Sequence, residues 1–399
     1  MKIDRPVILN IQILVSIFLL MLPILSVQLS ARPVLELEDG APVSIGTIRK
    51  IHSEALGDER TLLVSLPENY AGTEFRYPVL YLLYGDQVKG YFAETVHHIH
   101  RLASMGAIPE LIIVGVANVE RYRDLRPVAT RGLSSRIDQF IEFVREEMIP
   151  FIDSEYKTKD FRILVGPQAG AVFGLYVLTG ESDLFDAYIL NNPFEADNCR
   201  EILMERAESF FGADLPAYTC LQISCVTKTL NRELTEAVES ARRFAEMTSR
   251  LAPGNLDLNM IYIDDNEDFI PSPNQKDGLK NLFADYKFPE DRKVDRLKDF
   301  TSHYDALSAK LGFDVGYPEL PMVFKAVDLN RRGRTVEAVE MLEFLLEENP
   351  RSLNGLWQLA NIKRGQGERD DAIKLFRRCL EIMPNMTPAR EMLNSLEAE

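Results

Sequence analysis

RILVGPQAGA (162–171) is the stretch on which the fold of this chain turns. Its apolar start ends in Gly166, and from Ala169 an Ala/Gly-rich segment continues to 180 as a helix suited to close packing on a sheet. Strand, tight turn of small residues, then helix is the setting of a nucleophile elbow, whose pattern is Gly-x-Ser-x-Gly. The glycines are needed because the turn is strained and strand and helix approach closely. Gly166 and Gly170 stand at that spacing, and Gln168 stands where the pattern has serine. A carboxamide has no ionisable oxygen nucleophile. Pro167 fixes the backbone just before it.

Outward from the elbow, strands and helices alternate. Upstream, the alternating runs of 43–68, VSIGTIRKIHS and then RTLLVSLPENY (which ends at Tyr70), suit paired antiparallel strands, and PVLYLLYGD (78–86) and ELIIVGVAN (110–118) read as buried strands. A helix is expected at about 90–105, and another over 135–155 with Ile137, Phe140, Ile141, Phe143 and Val144 on one face. Downstream, DAYILNNP (186–193), CLQISCVT (220–227) and LNMIYIDD (258–265) supply three further strands, with a helix at 231–251 before the last. This alternation predicts an α/β fold with a mostly parallel sheet.

The C-terminal part differs. Gly333, Ala338, Leu342, Leu346 and Pro350 recur as Gly367, Ala372, Phe376, Leu380 and Pro384, always 34 positions on. That period, with glycine at the inner turn, alanine at the close helix contact and proline closing the unit, is the tetratricopeptide signature. Residues 386–398 fit a capping helix, and 293–312 a helix connecting the array to the sheet domain.

Four cysteines (Cys199, Cys220, Cys225, Cys379) are too few for a disulfide framework, although a Cys199–Cys220 bridge stays open in an oxidising compartment. Lys2 and Arg5 precede an apolar run from Val7 to Leu29, so residues 1–31 read as a signal peptide or a membrane anchor. The charge pattern around it puts the body outside the cytoplasm, periplasmic or extracellular, with a membrane tie only if the segment is retained. A net charge of −16, carried mostly by the middle of the chain, speaks against nucleic acid as a partner.

From about 45 to 285 the chain resembles the esterase family that includes enterochelin and feruloyl esterases and esterase D, in its exported branch with C-terminal tetratricopeptides. The matching stretches are RKIHSEALGDERTLLVSLPENY, YPVLYLLYGD, GVANVERYRDLRP, FVREEMIPFIDSEYKTKDFRILVG and DLFDAYILNNP. The resemblance implies an α/β-hydrolase-type, mostly parallel sheet flanked by helices over 43–290. An all-α tetratricopeptide array follows: a connecting helix at 291–316, then two repeats and a cap over 317–399. In active relatives the elbow reads Gly-His-Ser-x-Gly-Gly, and here it reads Gly-Pro-Gln-Ala-Gly-Ala. The family histidine precedes a helix start matching Asp277-Gly278-Leu279, which places Glu267 at its position; there is no histidine between His100 and His303. The family acid follows the strand matching LQISCVT, where Thr227-Lys228-Thr229 supply none. Oxyanion donors would come from the Tyr84-Gly85 and Ala169 amides. Asn118, Arg121, Arg123 and Asp124 match the family motif, read as a loop-fixing ion-pair network or as pocket lining.

Other clusters are weaker. Ser134 and Ser135 lack the strand–turn context of an elbow, and Cys225 falls in an apolar strand. Glu94, His97, His98 and His100 read as a helix-surface cluster, and the acidic run at 264–268 lacks calcium-loop spacing, so no metal and no cofactor is assigned. The basic residues Arg331, Arg332, Arg334, Lys363 and Arg364 gather at the inner turns. Together these features predict an exported, catalytically inactive esterase-like binding module whose repeats dock a protein partner, with a small-molecule ligand in the vestigial pocket. The alternative is an active ester hydrolase built on an unrecognised constellation.

Overall fold

The computed structural model describes residues 44–398, except 69, 84–87, 118, 214–217, 230–231, 234, 252–253, 265–271 and 290. The leader and Glu267, Tyr84, Gly85 and Asn118 therefore lie outside the described residues. The chain divides into two compact units, 44–324 and a second beginning at Lys325.

In the first unit the sheet strands are β1 (Thr47–Ser53), β2 (Asp58–Ser65), β3 (Tyr77–Leu83), β4 (Ile112–Ala117), β5 (Thr158–Pro167), β6 (Ala187–Asn191) and β7 (Thr219–Val226). Two short strands, β8 (Lys228–Thr229) and β9 (Arg232–Glu233), pair only with each other, and β10 (Leu256–Ile263) closes the sheet. The eight-stranded order is β1-β2-β4-β3-β5-β6-β7-β10. β1 and β2 are antiparallel, as is β2 against β4; from β4 to β10 every pairing is parallel. β3, β4 and β6 are buried along their whole length, which is why they read as unbroken apolar runs rather than alternating ones.

Side chains of one parity, Val79, Tyr81 and Leu83 among them, face a core shared with the helices at 137–155, Ala169–Leu178, Arg200–Phe211 and Thr235–Leu251. The helices α1 (Val88–Ser104) and Ser272–Leu282 pack on each other against the other face. The helix at 137–155, α2, carries a π-helical stretch at Phe143–Met148. Pro150 follows it and has no N–H to give to the ladder, so a local change of pitch just before it is expected. We name the elbow helix Ala169–Leu178 α3, then α4 (Arg200–Phe211), α5 (Thr235–Leu251) and α6 (Ser272–Leu282). The expected connecting helix runs Leu297–Leu311 (α7) and belongs to this first unit. Phe300 of α7 stacks on Phe288 at 5.0 Å, and Phe313 just after it stacks on Phe161 of β5 at 4.1 Å.

The C-terminal region is helical: α8 (Glu319–Arg331), α9 (Thr335–Glu348), α10 (Leu353–Gly365), α11 (Arg369–Ile382) and α12 (Thr387–Ala398). Its local geometry repeats. Gly333 and Gly367 both turn the chain with positive φ, 78° and 81°. At the first, Arg334 N–H donates to the Leu329 carbonyl; at the second, Glu368 N–H donates to that of Lys363. The C-cap residues Asn349 and Met383 share φ −131°. Ala338 and Ala372 are completely buried. All four cysteines are buried and free, so no Cys199–Cys220 bridge forms. Among the described residues no helix is long and apolar enough to cross a membrane.

Candidate functional site

The elbow is present in three dimensions. β5 delivers Pro167 opposite Asn191, and the Gln168 N–H then donates to the Asn191 carbonyl at 2.7 Å. Gln168 adopts φ 52°, ψ −113°, a strained conformation for any residue with a side chain. Its carbonyl then accepts from Ala171 N–H and Val172 N–H, both at 3.0 Å, to start α3. A Cβ on Gly166 would stand 2.3 Å from the Gly170 carbonyl oxygen, and one on Gly170 would stand 2.3 Å from the carbonyl oxygen of Leu83. Both glycines are thus required by backbone contact. The carboxamide of Gln168 occupies the nucleophile's place at the N-terminal end of a buried helix, where the helix dipole favours negative charge.

Where the family acid is expected, Thr227 and Lys228 instead hold Asp264. The Thr227 hydroxyl donates to Asp264 at 3.0 Å and the Lys228 ammonium lies 2.9 Å away. These hydrogen bonds, the one from Lys228 foremost, lower the pKa of the exposed Asp264 carboxyl. Cys225 offers no substitute nucleophile, because burial pushes its thiol up to about 12. Ser135 spends its hydroxyl on the Arg126 carbonyl at 2.6 Å. Among the described residues no group of three His, Cys, Asp or Glu is placed to hold a metal ion; burial lowers the pKa of His100.

The motif residues of the loop after β4 separate into two roles. Asp124 is fully buried and accepts from Arg60 at 3.1 Å, Arg136 at 3.1 Å, Arg123 at 3.2 Å and the Glu120 N–H at 3.1 Å. Arg60, on β2, is itself buried and also grips Asp58. Arg123 and Asp124 therefore belong to the anchor of the loop, whereas Arg121 lines a cavity.

That cavity, about 520 Å³, opens over Gln168 and Ala169. Its lining includes Arg121, Tyr122, Arg126 and Arg131, together with Asn192, Glu195 and Asn198. The three guanidiniums surround one ring, with carbon centres 5.1, 4.9 and 4.3 Å from the Tyr122 centroid for Arg121, Arg126 and Arg131. Arg131 sits in a tight turn with Gly132, both at positive φ, closed by reciprocal bonds between Thr130 and Leu133. Asn198 fastens that turn by donating to the Thr130 hydroxyl at 3.0 Å. Asn192, also at positive φ, accepts from the Val226 N–H at 2.7 Å and so locks the end of β6 to β7. The sequence reading finds Arg121 but not Arg126, Arg131 or Asn192. Arg131-Gly132 carried a turn signal; nothing local showed that it folds back over the elbow.

This strand order and elbow define an esterase-like α/β-hydrolase fold. Residues 53–212 match the family described as "Putative esterase". Two curated relatives come from Bacillus subtilis. The uncharacterized protein YjcH is 30% identical over 37% of this chain and 62% of its own length. The ferri-bacillibactin esterase BesA is 31% identical over 29% of this chain and 47% of its own length. The chain thus spans between about half and three-fifths of those relatives. An IroE-like serine hydrolase from Shewanella oneidensis shares the fold, with TM-score 0.62 and 24% identity over 76% of this chain and 99% of that one.

Proposed function

We propose that the α/β unit is a non-catalytic ligand-binding domain of an exported protein, and that the helical repeats after it dock a protein partner. The observation that carries the first half is Gln168 at φ 52°, ψ −113°: the elbow is kept and its nucleophile is not. Triad members act as a unit, and the loss of one typically lowers turnover by about 10⁴–10⁶-fold. Kinship with BesA favours the rival reading of an ester hydrolase, but fold and family do not supply a nucleophile. The apolar leader and the charges around it support export.

Purified protein should turn over p-nitrophenyl acetate and butyrate no faster than buffer. Gln168→Ser should leave that unchanged, since a lone serine needs an adjacent base. Hydrolysis that survives Gln168→Ala and disappears on mutation of one other Ser or Cys would establish the rival reading.

The repeat reading rests on the matched turns at Gly333 and Gly367 and on the buried Ala338 and Ala372. Ala372→Arg forces a long side chain into a packed position. Overpacking costs roughly 1–3 kcal/mol, and burying an unpaired charge costs more. A partner recovered by pull-down with the full chain should be lost with this variant; full retention would move the docking role to the α/β unit.

A further inference from the structure

We propose that the cavity over Gln168 is a receptor for a small polyanion, a molecule bearing at least two carboxylate or phosphate groups, gripped by Arg121, Arg126 and Arg131. The inference rests on the binding reading above and gives the ligand its chemical class.

Three observations support it. The first is charge. The chain carries −16 overall, yet three of its arginines converge on one ring, with Glu195 as the one acidic side chain lining the cavity among the described residues. Three like charges within 5.1 Å of one ring centroid are separated by no more than a distance comparable with the roughly 8 Å Debye length of physiological salt, and they repel. Stacking on Tyr122 offsets part of that, at about 0.5–1 kcal/mol per contact at partly exposed sites, but a ring brings no counter-charge.

The second is partnering. Elsewhere in this unit several arginines are committed to carboxylates: Arg60, Arg123 and Arg136 to Asp124, and Arg145 to Glu181 and Asp183. Arg121, Arg126 and Arg131 have no carboxylate partner and donate no hydrogen bond among the described residues, and the Nε of Arg126 is buried without one. A guanidinium presents a planar fork of donors that matches carboxylate and phosphate oxygens two at a time. A bound polyanion would meet those donors.

The third is the floor. Gln168 and the first residue of α3 line the same space, so a carboxamide donor and the positive end of a helix face it from below. Asn192 and Asn198 add neutral polar groups to the lining. Serine there would serve acyl transfer; glutamine serves recognition, because it can donate to one oxygen and accept from a hydroxyl.

The test is calorimetric titration of the full chain with citrate, with inorganic pyrophosphate and with trimethyl citrate, the uncharged ester of the first. Citrate, pyrophosphate or both should bind, and affinity should fall steeply as salt rises from about 50 to 500 mM. Which of the two binds more tightly identifies carboxylate or phosphate as the natural group. Arg126→Gln and Arg131→Gln should each weaken binding by about tenfold or more, while Arg250→Gln, outside the cavity, should not. Arg131 is exposed, so its variant keeps the fold, which circular dichroism checks. Silence of both anions at millimolar concentration would overturn the proposal, as would binding that survives both arginine variants or trimethyl citrate binding as tightly as citrate. Hydrolysis of trimethyl citrate would instead strike the non-catalytic reading, and the anion titrations would still report on the arginines.

Discussion

Asp124→Ala should destabilise the α/β unit by about 3–5 kcal/mol, the range for breaking a buried ion pair by removing one partner. Asp124 is fully buried, and the Arg60 it faces is only 1% exposed. Without the carboxylate, Arg60 loses its fully buried counter-charge, and the donors of Arg136, Arg123 and the Glu120 N–H lose their shared acceptor. Asp124→Asn should cost less, since an amide oxygen still accepts. Pairing Asp124→Ala with Arg60→Met should recover part of the loss, because the stranded charge goes as well. Burial pushes the Asp124 carboxyl up, but Arg60, the Glu120 N–H and Arg136 outweigh it and leave it below the usual carboxylate range. A depressed carboxyl contributes stability above its unfolded value of about 3.9, and that contribution fades as pH falls through the folded value. Urea unfolding should therefore show wild type losing its advantage over Asp124→Asn below about pH 4. A midpoint for Asp124→Ala equal to wild type at pH 7 would mean that the loop is held by something else.

This network also marks where the sequence was legible and where it was not. Arg60 shares its strand parity with the buried Leu62 and Val64, so a charge at an inward position was visible without a structure. Its partner, 64 positions on, was not. The buried strands announced themselves because both faces are covered: the run at 110–118 became Ile112–Ala117, and the one at 220–227 became Thr219–Val226. The elbow was legible because its glycines answer to local backbone contacts. Its positive-φ centre follows from the same spacing. The cavity was not legible, because Arg126, Arg131 and Asn192 reach it from a turn and a strand end that only the tertiary fold brings over Gln168. A helix stands at Leu297–Leu311, within the stretch where a connecting helix is expected. Its aromatic packing on Phe288 depends on contacts that helical periodicity does not encode.

Gly170→Val should be among the most damaging single changes in the unit, and Gly170→Ala should already cost about 3 kcal/mol or more, at or beyond the usual range for overpacking. Its backbone does not need glycine; it sits in the first turn of α3 with no positive φ. The restriction comes from across the sheet. A single added carbon would lie 2.3 Å from the Leu83 carbonyl oxygen, at the end of central strand β3, which no side-chain rotation can relieve. Gly367 provides the contrast. It has φ 81° and nothing within 4 Å of an added Cβ, so Gly367→Ala should cost only the roughly 1–2 kcal/mol of left-handed backbone. Equal costs for the two alanine variants, measured by thermal and urea unfolding, would show that the elbow yields and that α3 need not press on the sheet. If the larger cost at Gly170 is found, it explains why the strain at Gln168 persists without a serine to serve. Gly166 and Gly170 fix strand and helix so tightly that the residue between them has one backbone conformation open to it, and whatever side chain stands there is held toward the cavity.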